Sequence, residues 1–128
     1  MLRRLLIGLL AGVLMPVAAG AAVVTITVAN NSFTPNDITI GQHDTVHWVL
    51  ASGCHTVTSG VDLNDPDKGV LFDATVCSNG ASFDYTFDTP GNFPYFCQFH
   101  LPGMTGTVRV ATTAVQPTAW AKIKALYH

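Results

Sequence analysis

Phe93-Pro-Tyr-Phe-Cys-Gln-Phe-His-Leu-Pro-Gly-Met-Thr-Gly-Thr-Val-Arg-Val110 decides how the rest of the chain is read. Its first five residues are mostly aromatic and read as a strand. Its last five, Gly106 to Val110, alternate small or polar residues with valine and read as another. Between them Pro102 and Gly103 turn the chain. The loop carries a thiol at Cys97, an imidazole at His100 and a thioether at Met104, all within eight residues. A strand, a ligand-rich turn and a returning strand predict an antiparallel sheet with its chemistry at one end.

The segments upstream are consistent with that. Val24-Thr25-Ile26-Thr27-Val28 and Ile38-Thr39-Ile40 alternate apolar and polar residues, as half-buried strands do. In the next strand Val46, Trp48 and Leu50 share one face and His47 and Val49 the other. Residues 54–58 read as a short strand that leads His55 to one end of the sheet, and Phe83-Asp-Tyr-Thr-Phe87 as a further strand. Residues 59–80 break the pattern with turn chemistry at Ser59-Gly60, Asn64-Asp65-Pro66-Asp67 and Ser78-Asn79-Gly80. They are expected to form a long surface insertion tied down by Cys77, with room for one helical turn. The aspartates at 62, 65, 67 and 73 lack the spacing of an EF-hand loop and read as a solvated acidic face. About eight short strands and no helical period predict an all-β sandwich of two facing sheets.

The two ends differ in composition. Residues 1–20 read as a secretory signal peptide: Arg3 and Arg4, then an apolar stretch from Leu5 to Val17, then small residues around Ala18 to Ala22. The competing reading is a retained membrane anchor, against which stands an apolar run short of the ~20 residues that span a bilayer. A periplasmic or extracellular protein without a membrane span in its mature form is therefore expected, from a domain at 21–111. The tail 112–128 is expected to be linker-like. Trp120, Ile123, Lys124 and Tyr127 fall at the spacing of a short amphipathic helix, with a frayed terminus as the alternative.

Without residues 1–20 the chain keeps Lys68, Arg109, Lys122 and Lys124 against eight aspartates, a formal charge of −4. Such a domain offers no electrostatic footprint for nucleic acid and favours basic partners. Three cysteines in an exported chain predict one pair and one thiol with another task. Cys97 sits among metal-binding residue types, which leaves Cys54 and Cys77 as the pair, or as two separate thiols. A bond between them would close a loop of 23 residues, contribute about 3 kcal/mol by chain entropy, and stiffen the backbone at His55.

Thiolate and thioether suit Cu(I), and imidazole suits both copper states. His55, Cys97, His100 and Met104 are accordingly the expected ligands of a single Cu(I)/Cu(II) ion. The two imidazoles and the thiolate would form a plane, with the thioether axial. Zinc could use the same cysteine and histidines, but a methionine as fourth ligand favours copper. His43 and His47 are expected to be surface residues, and His128 lies at the terminus.

The sequence resembles the cupredoxins, particularly the plastocyanin and pseudoazurin branch of small blue copper proteins. The resemblance rests on Phe33-Thr-Pro-x-x-Ile-Thr-Ile with Gly41, on Val46-x-Trp48, on His55-Thr-Val, and on Phe87-x-Thr-Pro-Gly followed by Tyr95-Phe-Cys97. It implies a Greek-key β-sandwich with a type 1 copper site at one end. It also implies an electron port at the exposed edge of His100, ringed by Phe99, Leu101 and Pro102, where redox partners dock. The chain departs from its relatives in three places. The step from His100 to Met104 spans three residues where several relatives have two or four. Thr56 stands where relatives often carry Asn; its backbone N–H can still donate to the Cys97 sulfur, while its side chain is expected to give a weaker tether across the site. The Cys54/Cys77 pair and the 59–80 insertion are not general features of the small members.

The function expected from these residues is that of a monomeric one-electron carrier rather than an enzyme. Copper storage or delivery is the alternative. Multicopper oxidases and nitrite reductases use His-x-His pairs, and none occurs in the chain. The binuclear site of terminal oxidases needs two cysteines in the ligand loop, which has one.

Overall fold

The computed structural model describes residues 21–112. The signal peptide expected at 1–20 and the helix expected within 112–128 lie outside the described residues, apart from Thr112 itself. Nine strands follow in chain order: β1 Val23–Ala29, β2 Ser32–Thr34, β3 Asp37–Gly41, β4 Asp44–Leu50, β5 His55–Ser59, β6 Asp73–Val76, β7 Ser82–Phe87, β8 Gly91–Phe96 and β9 Thr105–Ala111. They form a four-stranded sheet in the order β2-β1-β4-β7 and a five-stranded sheet in the order β3-β9-β8-β5-β6. The chain passes repeatedly from one sheet to the other, so β1 pairs in parallel with β4, and β3 with β9. This is the all-β Greek-key sandwich that the alternating segments and the resemblance imply.

The side-chain period of two puts the expected residues inside. Ile26 and Val28 are buried on β1 while Thr25 and Thr27 face solvent. Val46, Trp48 and Leu50 are buried on β4, with His47 and Val49 only partly covered on the other face. Trp48 lies at the centre of the core, against Phe72, Phe83 and Tyr95 at ring-centroid distances of 5.3–5.7 Å. The β1–β2 hairpin turns through Asn30 and Asn31, whose φ values of 48° and 58° lie in the left-handed region that asparagine tolerates.

Segment 59–80 differs from its sequence reading. No helical turn forms there. Instead Asp73–Val76 makes β6, antiparallel to β5, with His55 facing Val76 and Thr58 facing Asp73. Phe72 and Val76 are core residues, whereas Val70 and Leu71 beside them stay exposed. A run of four residues bounded by turns carries too little alternation to announce a strand, and the tertiary packing of Phe72 decides the matter. Together with the short β2, this raises the count from about eight strands to nine. Cys54 and Cys77 are joined in a disulfide across the β5–β6 pair, as expected. No helix among the described residues is long and apolar enough to cross a membrane.

Candidate metal centre

Cys97 follows the last residue of β8, and β9 begins at Thr105. The eight residues from Cys97 to Met104 form a loop closed on itself by backbone hydrogen bonds. Cys97 N donates to Met104 O at 3.0 Å, His100 N to Cys97 O at 3.4 Å, and Met104 N to His100 O at 3.2 Å. These bonds satisfy peptide groups that leave the sheet, and they hold the loop's ends in register with the paired residues Phe96 and Thr105. Cys97 and Met104 are fully buried and His100 is half-buried.

His55 comes from the first position of β5 and is buried. Its Nδ1 lies 3.2 Å from Nδ1 of His100 and 3.9 Å from the Cys97 sulfur, while His100 Nδ1 lies 3.4 Å from the same sulfur. The orientation of the His55 ring is fixed from behind, where its Nε2 donates to the Ser52 carbonyl at 3.1 Å. That bond puts the ring proton on Nε2 and leaves the Nδ1 lone pair facing the sulfur. Gly53 permits the arrangement: its φ is +86°, and a Cβ there would sit 2.7 Å from His55 Nε2. Burial, and secondarily the neighbouring His100, hold the His55 pKa below its ordinary value, against the opposing pull of the Ser52 carbonyl. Thr56 N donates to the Cys97 sulfur at 3.3 Å, the contact expected of its backbone N–H.

Two imidazole nitrogens and a sulfur converge within 3.2–3.9 Å of one another, a set of donor atoms that can close on a single cation. The mixture of thiol, imidazoles and a buried thioether on the same loop fits copper in either oxidation state. Among the described residues, His55, Cys97 and His100 are the one group of three or more potential metal-binding side chains of this kind. The other described histidines are engaged elsewhere: His43 pairs with Asp88 at 2.9 Å, and His47 with Asp84 across the β4–β7 ladder. Both are surface residues, as expected.

The family of copper binding proteins that contains plastocyanin and azurin matches residues 21–111. This chain belongs to the plastocyanin/azurin family. Copper is the metal of this family, and the residues gathered here fit it. A plastocyanin from Scenedesmus fuscus is 33% identical over 85 residues, which cover 61% of this chain and 85% of that plastocyanin. Among solved structures, a purple cupredoxin from Nitrosopumilus maritimus aligns with a TM-score of 0.57 at 26% identity, over 69% of this chain and 99% of that one. A variant of amicyanin in its reduced state aligns with a TM-score of 0.54 at 28% identity, over 74% of this chain and 86% of that one.

The structure also shows groups around the site that the sequence did not single out. The Ser52 carbonyl is a backbone group and carries no residue-type signal. Gln98, Thr58 and Asp73 meet beside the loop. The contacts to Asp73 depend on β6, which the turn-rich sequence of 59–80 concealed, so this aspartate is more than part of the solvated acidic face expected from the sequence.

Proposed function

We propose that the protein is an exported one-electron carrier, with His55, Cys97, His100 and Met104 as the residues that would hold a copper ion. The observation that supports this most directly is the convergence of His55 Nδ1, His100 Nδ1 and the Cys97 sulfur to within 3.2–3.9 Å of one another, in a chain of a copper-binding family. When bound, copper supplies a one-electron Cu(I)/Cu(II) couple. The chain's own contribution is to keep the donors still. His55 is oriented by Ser52, Cys97 by the Thr56 N–H, and the Cys97–Met104 loop by its backbone bonds. A donor set that the fold holds in place has little to rearrange when the charge of the site changes.

Access is one-sided. His55 and Cys97 are sealed in the sandwich, whereas His100 is partly exposed and Phe99 beside it is 56% exposed. The rim of Phe99, Leu101 and Pro102 thus gives redox proteins an apolar docking area over the imidazole that leads to the metal. Membership of a copper-binding family supports the carrier reading, and the arginine-led apolar segment at residues 3–17 supports export.

The test is to add Cu(II) to the protein, record the visible spectrum, and cycle it with reductant and oxidant. An intense thiolate-to-copper band that bleaches and returns is expected, and it should vanish in Cys97→Ser. A colourless protein, or a Cys97→Ser variant of unchanged colour, would overturn the assignment. Fast electron exchange with retention of the metal supports a carrier, whereas ready loss of copper to a chelator would point to delivery instead.

A further inference from the structure

Gln98, the residue after Cys97, is tied to two strands of the five-stranded sheet. Its backbone N–H donates to Thr56 Oγ1 at 2.8 Å. Its side-chain Nε2 lies 3.0 Å from Thr58 Oγ1 and 3.0 Å from Asp73 Oδ1, so the amide's two hydrogens have two acceptors. The Thr58 hydroxyl donates to the same carboxylate oxygen at 2.8 Å, and the Thr58 and Thr56 hydroxyl oxygens are 3.0 Å apart. Thr56 and Thr58 are buried, and Thr58 is completely so.

This is a continuous polar brace. It starts at Asp73 on β6, runs through Thr58 and Thr56 on β5, and ends at the residue that follows Cys97. The strand it grips, β5, begins with His55. The hairpin that supplies Asp73 is joined covalently across Cys54–Cys77. The brace therefore links the loop bearing Cys97, His100 and Met104 to the strand bearing His55. It does so through side chains that belong to none of the four ligands. A carboxylate that accepts two hydrogen bonds makes the stronger, charge-assisted kind.

We infer that Gln98, Thr58 and Asp73 are positioning residues, which set the separation of the Cys97 loop from His55 and so fix the geometry in which copper is held. The inference rests on the ligand assignment proposed above. Outer groups that orient metal ligands change affinity by about 10–100-fold when lost, and this brace acts on two ligand-bearing elements together.

Four variants test it: Gln98→Met, which keeps the side-chain length without its donors; Asp73→Ala; Asp73→Asn, which keeps an acceptor oxygen; and Gln98→Met with Asp73→Ala. The readouts are the position and relative intensity of the copper charge-transfer bands, the retention of copper against a chelator, and amide exchange at Gln98 in the metal-free protein. Gln98→Met and Asp73→Ala are each expected to shift the bands and to weaken copper retention about tenfold, the lower end of that range. The double variant should lose no more than either single one, because one brace is broken in all three. Asp73→Asn should stay close to the parent. In Asp73→Ala the Gln98 amide should exchange faster even without metal.

Variants that lose thermal stability but keep the parent's spectrum and copper retention would overturn the positioning role, as would effects that simply add in the double variant. A parent protein that takes up no copper would instead overturn the ligand assignment, and the positioning role with it.

Discussion

Tyr95, two residues before Cys97, has its hydroxyl buried with no hydrogen-bond partner, and so does the Trp48 indole N–H. The two rings meet edge-on with centroids 5.3 Å apart, close enough for the indole dipole to favour a phenolate slightly but not for a hydrogen bond. Burial dominates, and the Tyr95 pKa is pushed up from 10.0 to about 12. The neutral phenol is the folded form, so its contribution is complete below pH 10 and is lost as pH rises from 10 towards 12. Ultraviolet titration should show one tyrosine that resists ionisation until about pH 12 or until the protein unfolds, and Tyr95→Phe should remove that resistant step. The same substitution deletes an unpaired buried hydroxyl, so denaturant midpoints are expected to hold or rise. At this scale the proposed ligands stand out in the sequence because Cys97, His100 and Met104 crowd one loop and His55 follows a cysteine. The group that orients His55, the Ser52 carbonyl, was not legible, since every residue has one.

The β5–β6 hairpin is the element on which the site depends most and which the sequence showed least. Every residue of β5 is buried, including Thr56, Thr58 and Ser59, so its period of two is hidden under polar residue types. Those hydroxyls are tolerated because each finds a partner. The Ser59 hydroxyl, for example, lies 3.1 Å from Leu71 N and 3.2 Å from both Phe72 N and Phe72 O. β6 is only four residues long and sits among aspartates, glycines and prolines, where local pattern cannot separate a strand from a loop. The cysteine count did reach across this gap, because pairing Cys54 with Cys77 already placed the two segments together. Replacing both cysteines by alanine should lower unfolding stability by about 3 kcal/mol for a 23-residue closure, measured by denaturant titration of the metal-free protein. The loss should be accompanied by faster amide exchange along β5, where His55 begins the strand.

Across the whole molecule, the described residues carry eight aspartates against Lys68 and Arg109. Several of these carboxylates already serve the fold. Asp44 accepts from Ala22 N and Gly41 N, Asp65 from Val61 N and Asp67 N, and Asp37 pairs with Arg109. Their charge still contributes to the long-range field, which favours cationic approach. Electron exchange with a small cationic metal complex is therefore expected to outpace exchange with an anionic one of similar driving force. The two rates should converge as salt shortens the screening length below about 10 Å. Stopped-flow rates over a range of ionic strength check this, and rates indifferent to salt would remove the electrostatic steering. The sandwich itself was legible from alternation in β1, β3, β4, β7 and β9. Which strands pair in parallel was not, because that is set by crossings between sheets rather than by any one segment.

The parallel pairing of β3 with β9 also has a consequence for assembly. β3 sits at an edge of its sheet and hydrogen-bonds to no strand but β9, with Asp37 facing Thr107 and Gly41 facing Ala111. A chain emerging from its N-terminus must leave β3 waiting until nearly all of the domain has been made, and such distant pairings close slowly. The loop that bears three of the four proposed ligands runs directly into β9, so its final shape arrives with that last strand. The proposed metal centre and the closure of the five-stranded sheet thus wait on the same last strand.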